Sequence, residues 1–334
     1  VSVYFASTHR GKKSLTLNLK DPAGVEALLR LAETADVFVE SFRPGVVDRL
    51  GVSYQAVSER APGIVYASIS AFGQNGPYAG IPAHDLAVQA MSGALSANLG
   101  PDNQPVLPGV LSADMLASSM ALSGVLMALL RRQSTGKGDY VDIAMMDALL
   151  ASMPINLSSP LAENRQPVPK EERLWGGSAL YQVYETKDGR LVALGGFEIK
   201  FATNLLTALE RPDLIPLCKL PAGEPQKPVR DFLTTTFLEK TQAEWVDWMA
   251  DKDVAFAPVK TLPEGLADSQ TRHREMVIQD VRGWKHIGTP LKFTNELPQL
   301  HFTPPTLGQH SEEILRALGY GDQDLKAMKA AGTY

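Results

Sequence analysis

Residues 112–150 read SADMLASSMALSGVLMALLRRQSTGKGDYVDIAMMDALL, and this stretch decides the fold. Met115 to Leu130 is 16 residues without a charge, rich in Ala, Ser and Gly, followed by Arg131 and Arg132. It reads as a buried core helix over Ser112–Arg132, too short to span a bilayer. Gly136 stops it. Tyr140–Ala144 (YVDIA) is a strand, and another apolar helix runs from Met146. The same alternation precedes it. Asp21-Pro22 caps and starts a helix with Val25, Leu28, Leu29 and Leu31 as its apolar stripe. Asp36–Glu40 (DVFVE) and Ile64–Ile69 (IVYASI) are short strands, Val46–Leu50 is a turn of helix, and His84–Ala97 is a helix with small residues on one face. Strands separated by helices argue a doubly wound, parallel-sheet, Rossmann-like α/β domain. Leu15, Leu17 and Leu19 already alternate, so Val1–Leu19 reads as one edge of that domain.

The pattern changes after residue 150. Ser158–Arg173 (SSPLAENRQPVPKEER) is rich in Pro and charge and reads as a linker. Tyr181–Glu185 and Arg190–Leu194 flank Lys187-Asp188-Gly189, a hairpin signal. Helices are expected near 199–209, 226–238 and 242–251, strand-like segments at Val254–Leu262 and Leu291–Phe293, and closing helices near 310–318 and 322–331. The expected organisation is a large α/β domain over 1–150 with 288–334 returning to it, a linker over 151–177, and a smaller α+β domain over 178–287.

Composition removes several classes of function. The chain has 334 residues, 44% hydrophobic and 21% charged, with a net charge of −5, which gives no sign of a nucleic-acid binder. Cys218 is the one cysteine, so neither an intrachain disulfide nor a thiolate metal site is available, and a reducing, cytoplasmic setting is expected. No signal-peptide pattern opens the sequence. It lacks a phosphate-binding glycine fingerprint, a His-x-x-x-His or Cys-x-x-Cys pair, and a Gly-x-Ser-x-Gly elbow. No metal is expected.

A few polar residues stand out against this background. Asp114 is a lone carboxylate heading an apolar helix. It is either an N-cap or a chemical group, because an unpaired buried charge costs several kcal/mol, roughly. His84, in Ala83-His84-Asp85-Leu86, is either a satisfied cap histidine or a base. Glu198 follows Gly195-Gly196-Phe197 where a strand gives way to a helix, a position the helix dipole favours for a carboxylate. Arg10, Lys12 and Lys13, with Arg43, are either a solvated surface turn or a receiver of phosphates.

Taken together the chain resembles the family III CoA-transferases, the CaiB/BaiF superfamily, which also holds the α-methylacyl-CoA racemases. The segments that carry the resemblance are RGKKSLTLNLKDPAG (10–24), ADVFVESFRPGVVDRLG (35–51), IVYASISAFGQNGPY (64–78), AHDLAVQAMSG (83–93), RRQSTGKGDYVDIAMMDA (131–148), AFAPVKTL (255–262) and PTLGQHSEEILRALGY (305–320). The resemblance implies that Asp114 is the covalent nucleophile of CoA transfer, and that coenzyme A arrives as part of the substrate and not as a resident cofactor. In the racemase branch it implies that His84 and Asp114 form an acid/base pair, with Glu198 positioning the histidine. Where racemases carry a glycine-rich stretch, this chain has Met115-Leu116-Ala117-Ser118-Ser119, which favours transfer. The resemblance further implies acyl-CoA and carboxylic acid substrates, no membrane, and an interlaced homodimer with each site shared between subunits. Family members begin with an additional segment, and this sequence starts after it. A non-catalytic CoA-binding subunit of a heteromer is the reading from another class.

Overall fold

The computed structural model describes residues 2–100, 102–296 and 300–334. Val1, where the expected domain edge begins, lies outside them. The chain divides into two compact units, one combining residues up to Ile155 with Ile278–Tyr334, the other Asn156–Val277.

The first unit is built on a parallel sheet of β1 (Val37–Glu40), β2 (Val65–Ser70) and β3 (Asp139–Ala144), in that order. Register pairs Val37 with Val65, and Val65 with Asp139. Central β2 is buried almost throughout, as a parallel strand covered on both faces must be. Its alternate side chains serve opposite faces. Tyr66 packs with Ala32 of α1 (Pro22–Glu33) and Val57 of α2 (Tyr54–Arg60). Ala67 packs with Val88 of α3 (Asp85–Met91), Ala113, Ala117 and Ala121 of α4 (Ser112–Thr135), and Ala148 of α5 (Met145–Ala151). One residue of slip would exchange the two faces, so this alternation fixes the register.

The glycines of the opening stretch have separate duties. Gly136 closes α4 in the left-handed region at φ 68°. Gly138 lets β3 start against β2: a Cβ there would lie 1.8 Å from the Ile64 carbonyl oxygen. Because α4 leads directly into β3 and packs back along it, its two ends face opposite edges of the sheet. At its C-terminal end Arg132 donates to the Gly63 carbonyl at 2.9 Å and to Asp36 Oδ1 at 2.7 Å, beside the amino ends of β1 and β2. Its N-terminus, with Asp114, therefore lies towards the carboxyl edge, where open α/β sheets hold their ligands.

The expectation of a buried α4 needs correction. The alanines at 113, 117, 121 and 128 are buried, but Met115, Leu122, Leu126, Met127 and Leu130 are more than half exposed. Small residues let the helix approach the sheet closely, and the large ones point away from it. The helix is also longer than its uncharged core, at 24 residues. By length and composition it is the one helix among the described residues able to cross a membrane, although its alanine face is occupied by the sheet.

Other departures are local. The helix expected over His84–Ala97 ends at Met91, because Gly93 turns left-handed at φ 84°, and a 3-10 turn takes Ala94–Ala97. Ser158–Glu163 is helical within the expected linker. Its Pro160 sits in the first turn, where no amide bond is lost, and Asn164 ends it at φ 49°. Leu291–Phe293 forms no strand. Val3–His9 is a helix ahead of the alternating leucines. Leu15 and Leu17 pack with Leu315, Leu325 and Met328 of the C-terminal helices Ser311–Ala317 and Asp322–Ala330.

The second unit holds the antiparallel sheet β4 (Tyr181–Glu185), β5 (Leu191–Gly195) and β6 (Phe256–Pro258). Helices Ile199–Ala208, Lys227–Phe237 and Gln242–Met249 cover it around fully buried Trp245, whose indole N–H donates to the Phe237 carbonyl at 2.8 Å. Where the chain passes back to the first unit at Ile278, β7 (Val277–Gln279) and β8 (Lys285–Ile287) form a hairpin closed by Gly283.

Candidate active site

Asp114 is the third residue of α4, not its N-cap; Leu111 holds that position and offers no side-chain oxygen. The amide protons of a first helical turn still need acceptors. One is supplied from another helix. Asp85, the first residue of α3, accepts the Asp114 N–H through Oδ2 at 3.1 Å, and its Oδ1 accepts Gln89 Nε2 at 2.5 Å. Asp85 and Gln89 are both buried, at 4% exposure each. A buried carboxylate with each oxygen engaged is a rigid strut, and it ties the start of α3 to the start of α4.

The strut also shapes the charge at Asp114. Partial burial, above all, lifts the Asp114 carboxyl above the ordinary aspartate range; the Asp85 carboxylate adds to the rise and His84 opposes it. His84 is the N-cap of α3, exposed, with its carbonyl accepting Val88 N–H at 3.1 Å and no side-chain capping bond. The structure thus brings His84, Asp85 and Asp114 within electrostatic reach of each other. A carboxylate that is poorly solvated and faces a like charge is a stronger nucleophile and base than one in water.

Glu198 lies in the second unit. It is the exposed N-cap of helix Ile199–Ala208, and its Oε2 accepts the Phe197 N–H at 3.1 Å. The Phe197 ring carries the Arg173 guanidinium 3.9 Å from its centre.

The four basic candidates do not form one group. Lys12 and Lys13 line a cleft of about 590 Å³ in the first unit; Arg10 and Arg43 do not. Arg10 donates to the Ile287 carbonyl at 2.6 Å, and Arg43 is exposed in the loop after β1. Among the described residues no group of three His, Cys, Asp or Glu side chains gathers as a metal site would require.

Asp85 is the residue that sequence reasoning passed over. The signal was present: an acid beside the candidate base, with a glutamine one turn later on the same face. The strut makes a prediction. Asp85→Asn keeps an acceptor but removes the like charge, so the Asp114 carboxyl should titrate lower, read from its 13C resonance. The sign for stability follows from proton binding. Between the unfolded value of 3.8 and the raised folded value, the folded chain holds more protons than the unfolded one. Stability attributable to Asp114 therefore falls as pH rises through that window, and the substitution should flatten the fall. An unchanged titration would show that Asp85 exerts no field on Asp114.

The chain is similar to known proteins over nearly its whole length. Residues 1–311 match the family model "CoA-transferase family III". The chain is 31% identical over 344 residues to the succinyl-CoA:glutarate CoA-transferase of Mus musculus, covering 99% of this chain and 78% of that protein. It is 32% identical over 328 residues to the alpha-methylacyl-CoA racemase of Mus musculus, covering 95% and 83%. Among solved structures, a CAIB/BAIF family protein from Brucella suis superposes with a TM-score of 0.81 at 27% identity, over 95% of this chain and 84% of that one. With transferases and racemases alike among its relatives, and a family match over most of its length, the chain is an enzyme that belongs to the CoA-transferase family III.

Proposed function

We propose that this enzyme moves CoA from an acyl-CoA to a free carboxylic acid, with Asp114 as the covalent nucleophile. The observation that carries the reading is the Asp114 carboxylate itself, half-buried and charge-stressed at the head of α4 with its backbone held by Asp85. An Asp114 oxygen attacks the thioester carbonyl, the C–S bond breaks, and CoA thiolate leaves a mixed anhydride. The thiolate attacks the aspartyl carbonyl, releases the donor acid as its carboxylate, and forms an aspartyl-CoA thioester. The acceptor carboxylate then attacks that thioester, thiolate leaves again, and its attack on the acceptor carbonyl gives the new acyl-CoA and restores Asp114. No net proton is required, and every step exchanges bonds of similar energy.

The CoA-binding domain comprises 1–150 with 288–334, doubly wound, and the smaller domain 178–287. Two chains interlace, so that Glu198 of one reaches His84 and Asp114 of the other. The exposed Leu and Met stripe of α4 supports an assembly that covers it. Arg10, Lys12, Lys13 and Arg43 receive CoA phosphates, and the enzyme works in the cytoplasm.

One observation favours a second reading. His84 lies close enough to Asp114 to shift its ionisation, as a pair passing an α-proton across an acyl-CoA would require. A panel of acyl-CoAs and free acids in heavy water, analysed by mass spectrometry, separates the two. Transfer gives CoA exchange and an Asp114 adduct that hydroxylamine traps, and His84→Phe retains much of the exchange rate. Rapid α-deuterium uptake with no exchange and no adduct would make the enzyme a racemase, and His84→Phe would then cost on the order of 10²–10⁴ in rate. Neither activity would leave the non-catalytic CoA-binding subunit.

A further inference from the structure

The short helix α3 buries three side chains, Asp85, Val88 and Gln89. Val88 belongs to the apolar cluster that holds Ala113 and Ala117 of α4. A helix face that meets a core is ordinarily apolar at each such position. Here two of the three are polar, each 4% exposed. Burying a carboxylate and an amide costs stability unless their bonds are made, and a well-packed apolar pair would serve the core as well. The pair points to a task beyond packing.

The bonds run in one direction. Gln89 Nε2 donates to Asp85 Oδ1 at 2.5 Å, and Asp85 Oδ2 accepts the Asp114 N–H at 3.1 Å. A carboxylate only accepts, so the nitrogen of the Gln89 amide is the atom that faces it. With one oxygen held from α3 and the other engaged on α4, the Asp85 carboxylate cannot turn without breaking a bond. Gln89 is held in its turn. Ser92 Oγ donates to the Gln89 carbonyl at 3.1 Å, and Gly93 turns left-handed just past the helix end. The donor at position 89 is also neutral. A lysine or arginine there would hold Asp85 and cancel its charge; glutamine holds it and leaves the charge facing Asp114.

From this geometry we infer that Gln89 is a positioning residue for the nucleophile: acting through Asp85, it fixes the negative charge beside Asp114 and the seat of the first turn of α4. This rests on the transfer reading above and adds to it a residue that acts on no substrate atom. The groups whose charge acts on Asp114 are Asp85, which raises its carboxyl behind the larger effect of partial burial, and His84, which opposes the rise. A more basic carboxylate is the better nucleophile, so the part of the rise that Asp85 supplies depends on the bond Gln89 makes.

The test is Gln89→Met, which keeps a similar length and removes the donor. It is read by the 13C resonance of the Asp114 carboxyl, by the pH profile of CoA exchange and by a melting curve. Asp114 should titrate lower than in the wild type, and the acidic limb of kcat/KM should move down with it. Exchange at neutral pH should fall about tenfold or more, through kcat with KM little changed. In an Asp85→Asn background the same substitution should add nothing to the titration, because the charge it orients is already gone. Gln89→Glu is the conservative partner. While its carboxyl is protonated it donates to Asp85 as the amide does, and exchange is kept. As pH rises and that proton leaves, two carboxylates face each other, Asp85 is pushed off the Asp114 N–H, and exchange falls along a limb the wild type lacks. If Gln89→Met does not fold, Gln89→Glu decides. An Asp114 titration and pH profile unmoved by Gln89→Met, with only the melting temperature lowered, would make Gln89 a packing residue and overturn the assignment. A wild-type profile in Gln89→Glu would overturn it equally. Failure of the function reading is separate: an Asp114 titration that follows Gln89→Met, in a protein with no CoA exchange on any acyl-CoA, keeps the positioning role and removes the transferase.

Discussion

Asp114→Asn should lower CoA exchange by about 10⁴-fold or more, the scale seen when a covalent nucleophile is removed, while the folded protein becomes no less stable. Both halves come from one environment. The carboxylate is partly desolvated and faces the Asp85 charge, so its ionised form is less favourable in the folded chain than in the unfolded one. Its backbone N–H, not its side chain, makes the bond to Asp85, and asparagine keeps that bond. Replacing the charge with an amide therefore removes a cost to folding along with the nucleophile, the usual trade between stability and activity at a strained site. Exchange kinetics, hydroxylamine trapping of the adduct and a melting curve check it together. Near wild-type exchange in Asp114→Asn would exclude both covalent and acid/base roles. Lost exchange with a markedly lowered melting temperature would instead make Asp114 a structural residue.

How far the sequence carried this reading depended on the range of the interactions involved. The strands at 37–40, 65–70 and 139–144 and the α4 stop at Gly136 were legible, because alternation and glycine conformations are local properties. The orientation of α4 was not. Its sequence is apolar on every side, so the pattern says "buried" and cannot say which side. Packing decided it by volume: alanines fit against β2 and β3, while Leu122 and Leu126 do not. The cap ambiguity at Asp114 had the same origin. The residue that completes the first turn of α4 is Asp85, 29 residues earlier, and no window on the helix contains it. The cleft lies further still beyond local reading. Lys12 was visible as a charge, but Arg282 and His301 join it only through the fold.

The exposed stripe leads to the second large effect: dilution should unfold this protein, and charges on α4 should do so outright. Met115, Leu122, Leu126, Met127 and Leu130 present a row of large apolar side chains over four turns of helix. Such a row is costly to leave against water without a surface that covers it. Interlaced subunits of the kind proposed bury on the order of 2,000 Å² or more and have no stable folded monomer. Loss of dimer and loss of structure should then coincide in sedimentation and circular dichroism. Each tenfold dilution should lower the apparent stability by about 1.4 kcal/mol. Leu122→Glu with Leu126→Glu should prevent assembly at micromolar concentration, because two buried, unpaired carboxylates cost more than the interface can offset. The pair places no substitution on the alanine face that meets β2 and β3, so a folded monomer of the double variant is a distinguishable result and would show that the chain folds without a partner. If the wild-type chain is itself a folded monomer at micromolar concentration, the interlaced assembly fails. If the double variant still dimerises, α4 does not form the interface, and its stripe must be covered by something other than a second copy.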